Sequence, residues 1–431
     1  MKGRHINIVT LGCSKNVADS EKLIKQIRAG GYSISHDAGE IVPGHVIINT
    51  CGFINDAKEE SIDTIMRFVK AKEAGQIGNL YVMGCLAERY MTALRKEIPE
   101  VDQYFGVNDI NGILNELGIN LQGELLSDRE LTGPAHYAYL KISEGCDRTC
   151  AFCAIPMIRG RYVSKPLETI LEEANILAAK GVGELILIAQ DLSYYGLDLY
   201  RKRKLPELIR ELVNIESLEW IRLHYLYPAD FPQKLIPVIR DNEKVCNYID
   251  LPIQHISDKM LKLMKRSHNR KQTEILLSEL REKIPGVTLR TTLIAGHPGE
   301  TKAEFNELRE FISDFRFDRL GVFAYSHEED TWAGDNYKDE IHEEVKEERV
   351  SELMLIQQNI SLELNRVKVG KVLKTIIDRK EGEYYTGRTE HDSPEVDQEV
   401  LIPSYYHLEP GKFRQVRITH AEEFDLFGVP E

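Results

Sequence analysis

Short apolar runs alternate with amphipathic stretches over the first part of the chain. Residues 6–10, 45–49 and 80–83 are apolar runs of strand length, whereas residues 20–30 and 56–74 place apolar side chains at helical spacing. Strands that alternate with helices predict a mostly parallel sheet covered by helices. The fold class predicted from this pattern is therefore α/β, with an N-terminal parallel α/β domain.

A turn-rich stretch at residues 121–135 interrupts this alternation, which then resumes with longer helices. Six apolar runs of strand length follow, and helical patterns fill the gaps between them. This series predicts an open, partial (βα)6 barrel, whose functional loops follow the carboxyl ends of the strands. The six predicted strands are residues 137–142, 184–189, 220–226, 245–251, 288–295 and 319–324.

The pattern changes again near the C-terminus. Residues 339–367 form a long, acidic helical stretch. Short strand-like runs separated by turn residues come next, and they predict a small antiparallel β-barrel. These runs are residues 371–377, 384–388, 398–402 and 413–418, and the predicted domains are residues 4–121, 132–364 and 367–431.

Composition and charge restrict the classes of function. The chain has 431 residues, more than one hydrophobic core usually supports, so several domains are expected. No apolar run approaches the roughly 18 residues of a membrane span, and the N-terminus lacks a signal-peptide pattern, so we predict a cytoplasmic protein without membrane association. The net charge of −14 disfavours a surface that grips nucleic acid and favours basic or neutral partners.

Three cysteines lie close together just after the predicted strand at residues 137–142. Cys146, Cys150 and Cys153 have the spacing C-x3-C-x2-C, and soft thiolates suit an iron–sulfur cluster or zinc. A structural zinc site usually has four protein ligands, whereas three cysteines on a four-iron cluster leave one iron open for a substrate. A zinc loop and a purely structural role are the alternatives.

Three other cysteines occupy equivalent positions in the N-terminal pattern. Cys13, Cys51 and Cys85 each follow the carboxyl end of a predicted strand, where open α/β sheets gather their ligands. This placement predicts a second cluster with three protein ligands. The alternative is three unrelated cysteines in half-buried turns. Cys246 lies in an apolar stretch and is predicted to be structural.

The spacing at Cys146, with Phe152 before the third cysteine, resembles the signature of the radical S-adenosylmethionine (SAM) superfamily. The resemblance implies a [4Fe-4S] cluster whose open iron binds SAM and cleaves it to a 5′-deoxyadenosyl radical. Together with the N-terminal cysteines and the terminal barrel, the whole chain resembles the methylthiotransferase family. That resemblance implies an auxiliary [4Fe-4S] cluster at Cys13, Cys51 and Cys85 and a C-terminal TRAM domain. No catalytic residue beyond the cluster ligands is expected.

The sequences of several motifs resemble those of the branch of this family that modifies a ribosomal protein. It implies methylthiolation of the β-carbon of an aspartate in a basic small-subunit protein of the S12 type, with a reductant such as flavodoxin. The alternatives are the branch that methylthiolates isopentenyl-adenosine in tRNA and an iron–sulfur electron carrier. Ser14 stands where this branch often has proline. The motifs are residues 11–16 (LGCSKN), 49–54 (NTCGFI), 154–160 (AIPMIRG), 251–255 (LPIQH) and 323–326 (FAYS).

The charge of the predicted barrel agrees with this choice of branch. Residues 368–431 contain nine Lys and Arg against thirteen Asp and Glu. Because phosphate neutralisation supplies most of the affinity for tRNA, an acidic barrel disfavours tRNA and favours a basic protein.

Residues that would contact SAM are predicted from strand ends and from the resemblance. Residues 291–300 (TTLIAGHPGE) resemble the family's glycine-bearing SAM segment. Arg159 and Arg161 could hold an anionic group or be solvated, and both interpretations stay open. The predicted SAM contacts are Phe152, Gln190, Asp191, Thr291, Gly296 and Glu300.

Overall fold

A computed structural model describes residues 4–431, and the chain divides into two compact units. The first unit contains the residues up to Gly133, with Tyr139–Arg148 and Cys153–Ile176. The second contains Pro134–Ala138, Thr149–Phe152 and Leu177–Glu431. In the described part of the chain, no helix combines the length and the apolar character that crossing a membrane requires.

The first unit is built on a five-stranded parallel sheet with the strand order β2-β1-β3-β4-β5. Neighbouring residues such as Ile47 and Ile48 point into two separate apolar cores, so both faces of the sheet are covered by helices. The predicted parallel α/β architecture is thus confirmed. The edge strand β2 was not predicted because its polar sequence SISH lacks an apolar run. The elements are β1 His5–Thr10, α1 Ser14–Ala29, β2 Ser33–His36, β3 His45–Thr50, α2 Asn55–Glu73, β4 Leu80–Gly84, α3 Cys85–Glu97, β5 Gln103–Tyr104, α4 Ile110–Glu116 and a 3-10 turn at Gly123–Leu125.

Strands β9 to β13 of the second unit belong to a six-stranded sheet with the order β13-β12-β11-β10-β9-β6, and these five strands pair in parallel. This order confirms the predicted partial barrel of six strands. The elements of residues 137–366, of which those at residues 139–148 and 153–176 belong to the first unit, are β6 Tyr137–Lys141, β7 Ser143–Glu144, α5 Ile155–Arg159, β8 Val163–Ser164, α6 Leu167–Ala179, β9 Glu184–Ile188, a 3-10 turn at Leu192–Tyr194, α7 Leu197–Tyr200, α8 Leu205–Val213, β10 Trp220–Leu223, α9 Leu235–Arg240, β11 Val245–Asp250, α10 Asp258–Leu263, α11 Arg270–Lys283, β12 Thr288–Ala295, α12 Lys302–Phe315, β13 Arg319–Ala324, α13 Trp332–Asn336 and α14 Glu343–Arg366.

Five strands close the C-terminal barrel in the order β14-β15-β16-β18-β17. All neighbouring pairs are antiparallel except β16 and β18, which run parallel. The last strand was not predicted because glycine and proline interrupt its apolar pattern, DLFGVP. The elements are β14 Val372–Glu381, β15 Tyr384–Thr389, β16 Glu399–Pro403, a 3-10 turn at Ser404–Tyr406, β17 Phe413–Ala421 and β18 Asp425–Pro430.

Buried charges at the amino ends of the core strands pair with the barrel. Glu184, the first residue of β9, lies 2.7 Å from Arg222 and 2.9 Å from Arg388 of the barrel. Arg319, the first residue of β13, lies 2.5 Å from Asp392. Because each partner would otherwise be a buried unpaired charge, these contacts fix the barrel on the core sheet. The predicted domain boundaries stay a prediction, since core and barrel form one compact unit.

Replacing Asp392 by asparagine should destabilise this unit. The substitution leaves Arg319 buried without its carboxylate, which costs about 3–5 kcal/mol. Burial opposes ionisation, but Arg319 and Lys368 hold the pKa of Asp392 at about 2. The native contribution is therefore complete at neutral pH and is lost as the pH falls from about 4 towards 2. Urea unfolding at pH 7 measures the loss, and Glu340→Gln, in the exposed pair with Lys338, is the control that should change little.

Candidate functional site

The three N-terminal cysteines lie at one edge of the first sheet. Cys13 caps the amino end of α1, Cys51 follows β3 directly, and Cys85 is the first residue of α3. Since β1, β3 and β4 are adjacent and parallel, their carboxyl ends meet at this edge. Gly12 has a φ of +89°, and a Cβ atom at this position would lie 2.7 Å from the Cys51 Cβ. The loops before Cys13 and after β3 are thus in close contact.

Asn16 connects the three cysteine-bearing loops. Its Nδ2 donates to the carbonyl oxygens of Leu11 at 2.8 Å and Thr50 at 3.1 Å. Its Oδ1 accepts from the Cys85 thiol at 3.8 Å and from the Arg159 guanidinium at 2.6 Å. One buried amide therefore joins the loops that carry all three cysteines. Asn16 belongs to the motif LGCSKN, but its role could not be predicted from that motif because several of its partners are far from it in the sequence.

The electrostatic environment differs among the three thiols. Burial raises the pKa of Cys85 to about 12, and it also raises the pKa of Cys51, which is further raised by the Cys13 charge. Cys13 is exposed, unlike Cys51 and Cys85; desolvation by the surrounding protein opposes its ionisation, but Lys15, Arg159 and backbone N–H groups outweigh this and lower the pKa of Cys13. Because Cys13 and Cys51 both raise the pKa of Cys85, the three thiolates repel one another and need a cationic partner to coexist.

This donor set fits an iron–sulfur cluster. Three thiols converge, and the Arg159 Nη2 lies 3.5 Å from the Cys85 Sγ, which suits an anionic group. Within residues 4–431 no three His, Cys, Asp or Glu side chains are arranged to share a single metal ion. A four-iron cluster is wider than one ion and binds each thiolate through a different iron. The role of Cys13, Cys51 and Cys85 as ligands stays a prediction.

Replacing Asn16 by alanine should weaken this edge of the sheet. The change leaves the buried Thr50 carbonyl and the Arg159 guanidinium each without one partner, at a cost of about 1–3 kcal/mol for each lost bond. We expect lower thermal stability and, after anaerobic reconstitution, less iron bound to the N-terminal cysteines. Asn175→Ala is the control, because the exposed Asn175 amide bonds only to a carbonyl in its own helix. An iron content equal to that of the parent would contradict this role of Asn16.

Two cysteines of the C-x3-C-x2-C loop, Cys146 and Cys153, belong to the first unit, and both are half-buried. The Cys146 Sγ accepts from the backbone N–H of Arg148 at 3.4 Å. Gly145 enters the loop with a φ of +73°, and a Cβ atom there would lie 2.0 Å from the Arg161 carbonyl oxygen. The start of the loop therefore requires glycine, for steric and conformational reasons.

Cys150 belongs to the second unit, where an arginine contacts its thiol. The Arg266 Nη1 lies 3.3 Å from the Cys150 Sγ, and its Nη2 donates to the Pro252 carbonyl at 2.7 Å. The guanidinium also stacks over the Tyr227 ring at 4.1 Å, which holds it in place. Arg266 was not predicted as a site residue from the sequence, although it follows the LPIQH motif by only 11 residues.

The residues predicted to contact SAM are mostly engaged in internal contacts. Phe152 packs with Tyr325 and Ala333, and Gln190 is half-buried just beyond β9. Asp191 accepts from the Ser193 N–H at 2.8 Å and so caps a 3-10 turn. Its carboxylate thus has a structural role, and the SAM contacts of this group stay predictions.

The glycine-bearing segment is stabilised from inside by Glu300. The Glu300 Oε1 accepts from the Gly296 N–H at 3.0 Å and from Arg349 at 2.6 Å, and its Oε2 lies 3.3 Å from the His255 Nε2. Thr291 donates to the Leu251 carbonyl at 2.9 Å, which ties β12 to β11. Glu300 and Thr291 therefore shape the segment. Their predicted contacts with SAM, like that of Gly296, are untested.

Of the remaining residues singled out in the sequence, Arg159 is buried and Arg161 is exposed. Cys246 packs with Trp220 and Tyr248 in a buried core, so its structural interpretation is confirmed. His297 is buried among aromatic rings, and this burial lowers its pKa to about 4.

Comparisons with known proteins identify the family. The family model described as the radical SAM superfamily matches residues 140–312, that of the uncharacterized protein family UPF0004 matches residues 5–106, and that of the TRAM domain matches residues 369–430. A protein of Phocaeicola vulgatus named ribosomal protein uS12 methylthiotransferase RimO is 53% identical over 428 residues, which cover 99% of both chains. The chain belongs to the RimO family. A RimO protein of Bacteroides thetaiotaomicron is 54% identical over 99% of this chain and 98% of its own.

Membership of the RimO family confirms the prediction of a radical-SAM methylthiotransferase. The superfamily implies SAM and a [4Fe-4S] cluster. Among solved structures, the radical SAM methyltransferase TsrM of Kitasatospora setae, with cobalamin and a [4Fe-4S] cluster bound, has a TM-score of 0.53 at 14% identity, over 77% of this chain and 74% of that chain. This likeness concerns the fold alone.

Proposed function

We propose that this enzyme attaches a methylthio group to the β-carbon of an aspartate in ribosomal protein uS12. The observation that carries the proposal is an identity of 53–54% over 99% of the chain to relatives named for acting on that protein. The similarity includes all three matched regions, so it is not confined to the SAM-cleaving core.

The proposal includes two [4Fe-4S] clusters. Cys146, Cys150 and Cys153 would hold the first, and an auxiliary cluster would be held by Cys13, Cys51 and Cys85. When bound, the first cluster with SAM would supply the radical that activates a C–H bond, and the auxiliary cluster would hold the exogenous sulfide that is to be methylated. The chain contributes cationic hydrogen-bond donors, since Arg159 contacts the Cys85 thiol and Arg266 contacts the Cys150 thiol.

The barrel's ion pairs support a protein substrate over tRNA. Several of its nine cationic side chains are neutralised locally: Arg388 is buried against Glu184 and Asp378, and Arg379 pairs with Glu399 at 2.7 Å. Arg417, on the same strand as Arg414, pairs with Glu431. These ion pairs reduce the positive charge available to a phosphate backbone, whereas the acidic excess would attract a basic ribosomal protein.

Two further parts of the proposal concern the surroundings of the enzyme. A flavodoxin-type donor would supply the low-potential electron, because SAM cleavage by this superfamily is reductive. A cytoplasmic location follows from a ribosomal substrate. Both are tested by copurification from cell extract with the reductant and with small ribosomal subunits.

A direct competition between substrates tests the proposed function. The reconstituted enzyme is given SAM, sulfide, dithionite and both a peptide from the uS12 loop that contains the aspartate and isopentenyl-adenosine tRNA. We expect a mass gain of one methylthio group on the peptide, abolished when its aspartate is replaced by alanine. Modification of the tRNA alone would contradict the proposal. If the loop peptide is too short to bind, intact uS12 replaces it, and absence of modification on intact uS12 would also contradict the proposal.

A further inference from the structure

Arg159 is a buried cation in contact with a predicted ligand of the auxiliary cluster. It is the last residue of α5 and is 4% exposed. Its Nη2 lies 3.5 Å from the Cys85 Sγ and 2.6 Å from the Asn16 Oδ1. A buried arginine is always charged, so this positive charge adjoins Cys85 at any pH of interest.

Two carboxylates and a lysine adjoin Arg159, and of these Asp19 and Lys141 are buried whereas Glu144 is half-buried. The Arg159 Nη1 donates to the Asp19 Oδ2 at 3.1 Å and to the Glu144 Oε1 at 3.0 Å. Lys141 pairs with the same two carboxylates. These four residues, the charge quartet, have two positive and two negative charges. Removing either kind of charge leaves the opposite charge in excess close to Cys85.

We propose that Arg159, through the charge quartet, sets the reduction potential of the auxiliary cluster. This inference rests on the proposed function, in which Cys13, Cys51 and Cys85 hold that cluster. One-electron reduction by an external donor makes a thiolate-ligated cluster more negative. A fixed cation beside a ligand sulfur stabilises the reduced form more than the oxidised form, and hydrogen bonds to sulfur act in the same direction.

The test uses full-length protein in which Cys146, Cys150 and Cys153 are replaced by alanine, so that one cluster remains. After anaerobic reconstitution, redox titration with dithionite is followed by electron paramagnetic resonance. We expect Arg159→Met to reduce the ratio of reduced to oxidised cluster at a fixed potential by about tenfold, which is a shift of about −59 mV for one electron. Arg159→Lys, which keeps the charge, should have a potential close to that of the parent. Asp19→Asn should shift the potential upward.

A matched control separates this role from a general loss of a buried ion pair. Arg129 is also buried in the first unit, where it pairs with Glu21 at 3.3 Å and Glu173 at 3.6 Å. Arg129→Met should leave the potential unchanged. A potential of Arg159→Met equal to that of the parent would overturn the proposal. If Arg159→Met binds no cluster, Asp19→Asn decides, and an unchanged or lower potential refutes the inference.

This experiment also distinguishes failure of the inference from failure of the proposed function. If the parent without Cys146, Cys150 and Cys153 binds no iron, the auxiliary cluster itself is wrong and the inference falls with it. If the parent binds about four iron atoms but its potential does not respond to the charge of residue 159, only the inference is wrong.

Discussion

Replacing Cys146, Cys150 and Cys153 together by alanine should abolish SAM cleavage. The open iron that would bind SAM needs three thiolates to hold the rest of the cluster, and no other group in the proposed mechanism generates the radical. With SAM and dithionite, we expect 5′-deoxyadenosine to fall from readily measured amounts to the background without enzyme. The iron content should fall from about eight to about four per chain, because the auxiliary cluster is retained.

Cys246→Ala is the control for this prediction. Cys246 is 1% exposed and packs in an apolar core, so its loss should affect neither iron content nor SAM cleavage. Undiminished 5′-deoxyadenosine formation by the triple variant would contradict the assigned ligands. Zinc in place of iron after anaerobic preparation of the parent would contradict the cluster itself.

The architecture could be predicted from sequence because its strands are apolar and buried. The runs that became β1, β3 and β4 have strong hydrophobic patterns, so the placement of Cys13, Cys51 and Cys85 after them followed directly. Two of the strands that were not predicted, β2 and β18, lack such a pattern because they are polar or interrupted by glycine and proline.

Only the part of the site that shows in the positions of its cysteines could be predicted from the sequence. Cysteine spacing indicates clusters, but the amide of Asn16 acquires its role from partners such as Thr50 and Cys85, which are 34 and 69 residues away. Arg159 is 74 residues from Cys85, and Arg266 is 116 residues from Cys150. Such contacts depend on how the loops converge in the fold, which hydrophobic periodicity does not record.

The interior charges of the second unit show the same limit. The sequence pattern predicted the barrel as a separate element, and Glu184 and Arg388 carried no signal of their pairing across 204 positions in the chain. Both residues are buried, which neither side chain tolerates without a partner of opposite charge. Only the folded chain shows that each one has such a partner.

Replacing Cys13, Cys51 and Cys85 together by alanine should separate SAM cleavage from methylthio transfer. The ligands proposed for the two clusters are different cysteines, so the variant keeps Cys146, Cys150 and Cys153 and about four iron atoms per chain. We therefore expect 5′-deoxyadenosine to form with SAM and dithionite, while the methylthio product on the uS12 peptide falls below detection. The reason is that the thiols that would hold the sulfur-bearing cluster are gone, whereas the hydrogen-abstracting chemistry is intact. Mass spectrometry of the peptide and chromatography of the nucleoside measure the two outcomes in the same reaction. If the variant forms product at the level of the parent enzyme, the auxiliary cluster has no role in the reaction. Loss of both activities in a folded variant would show that the two clusters are not independent.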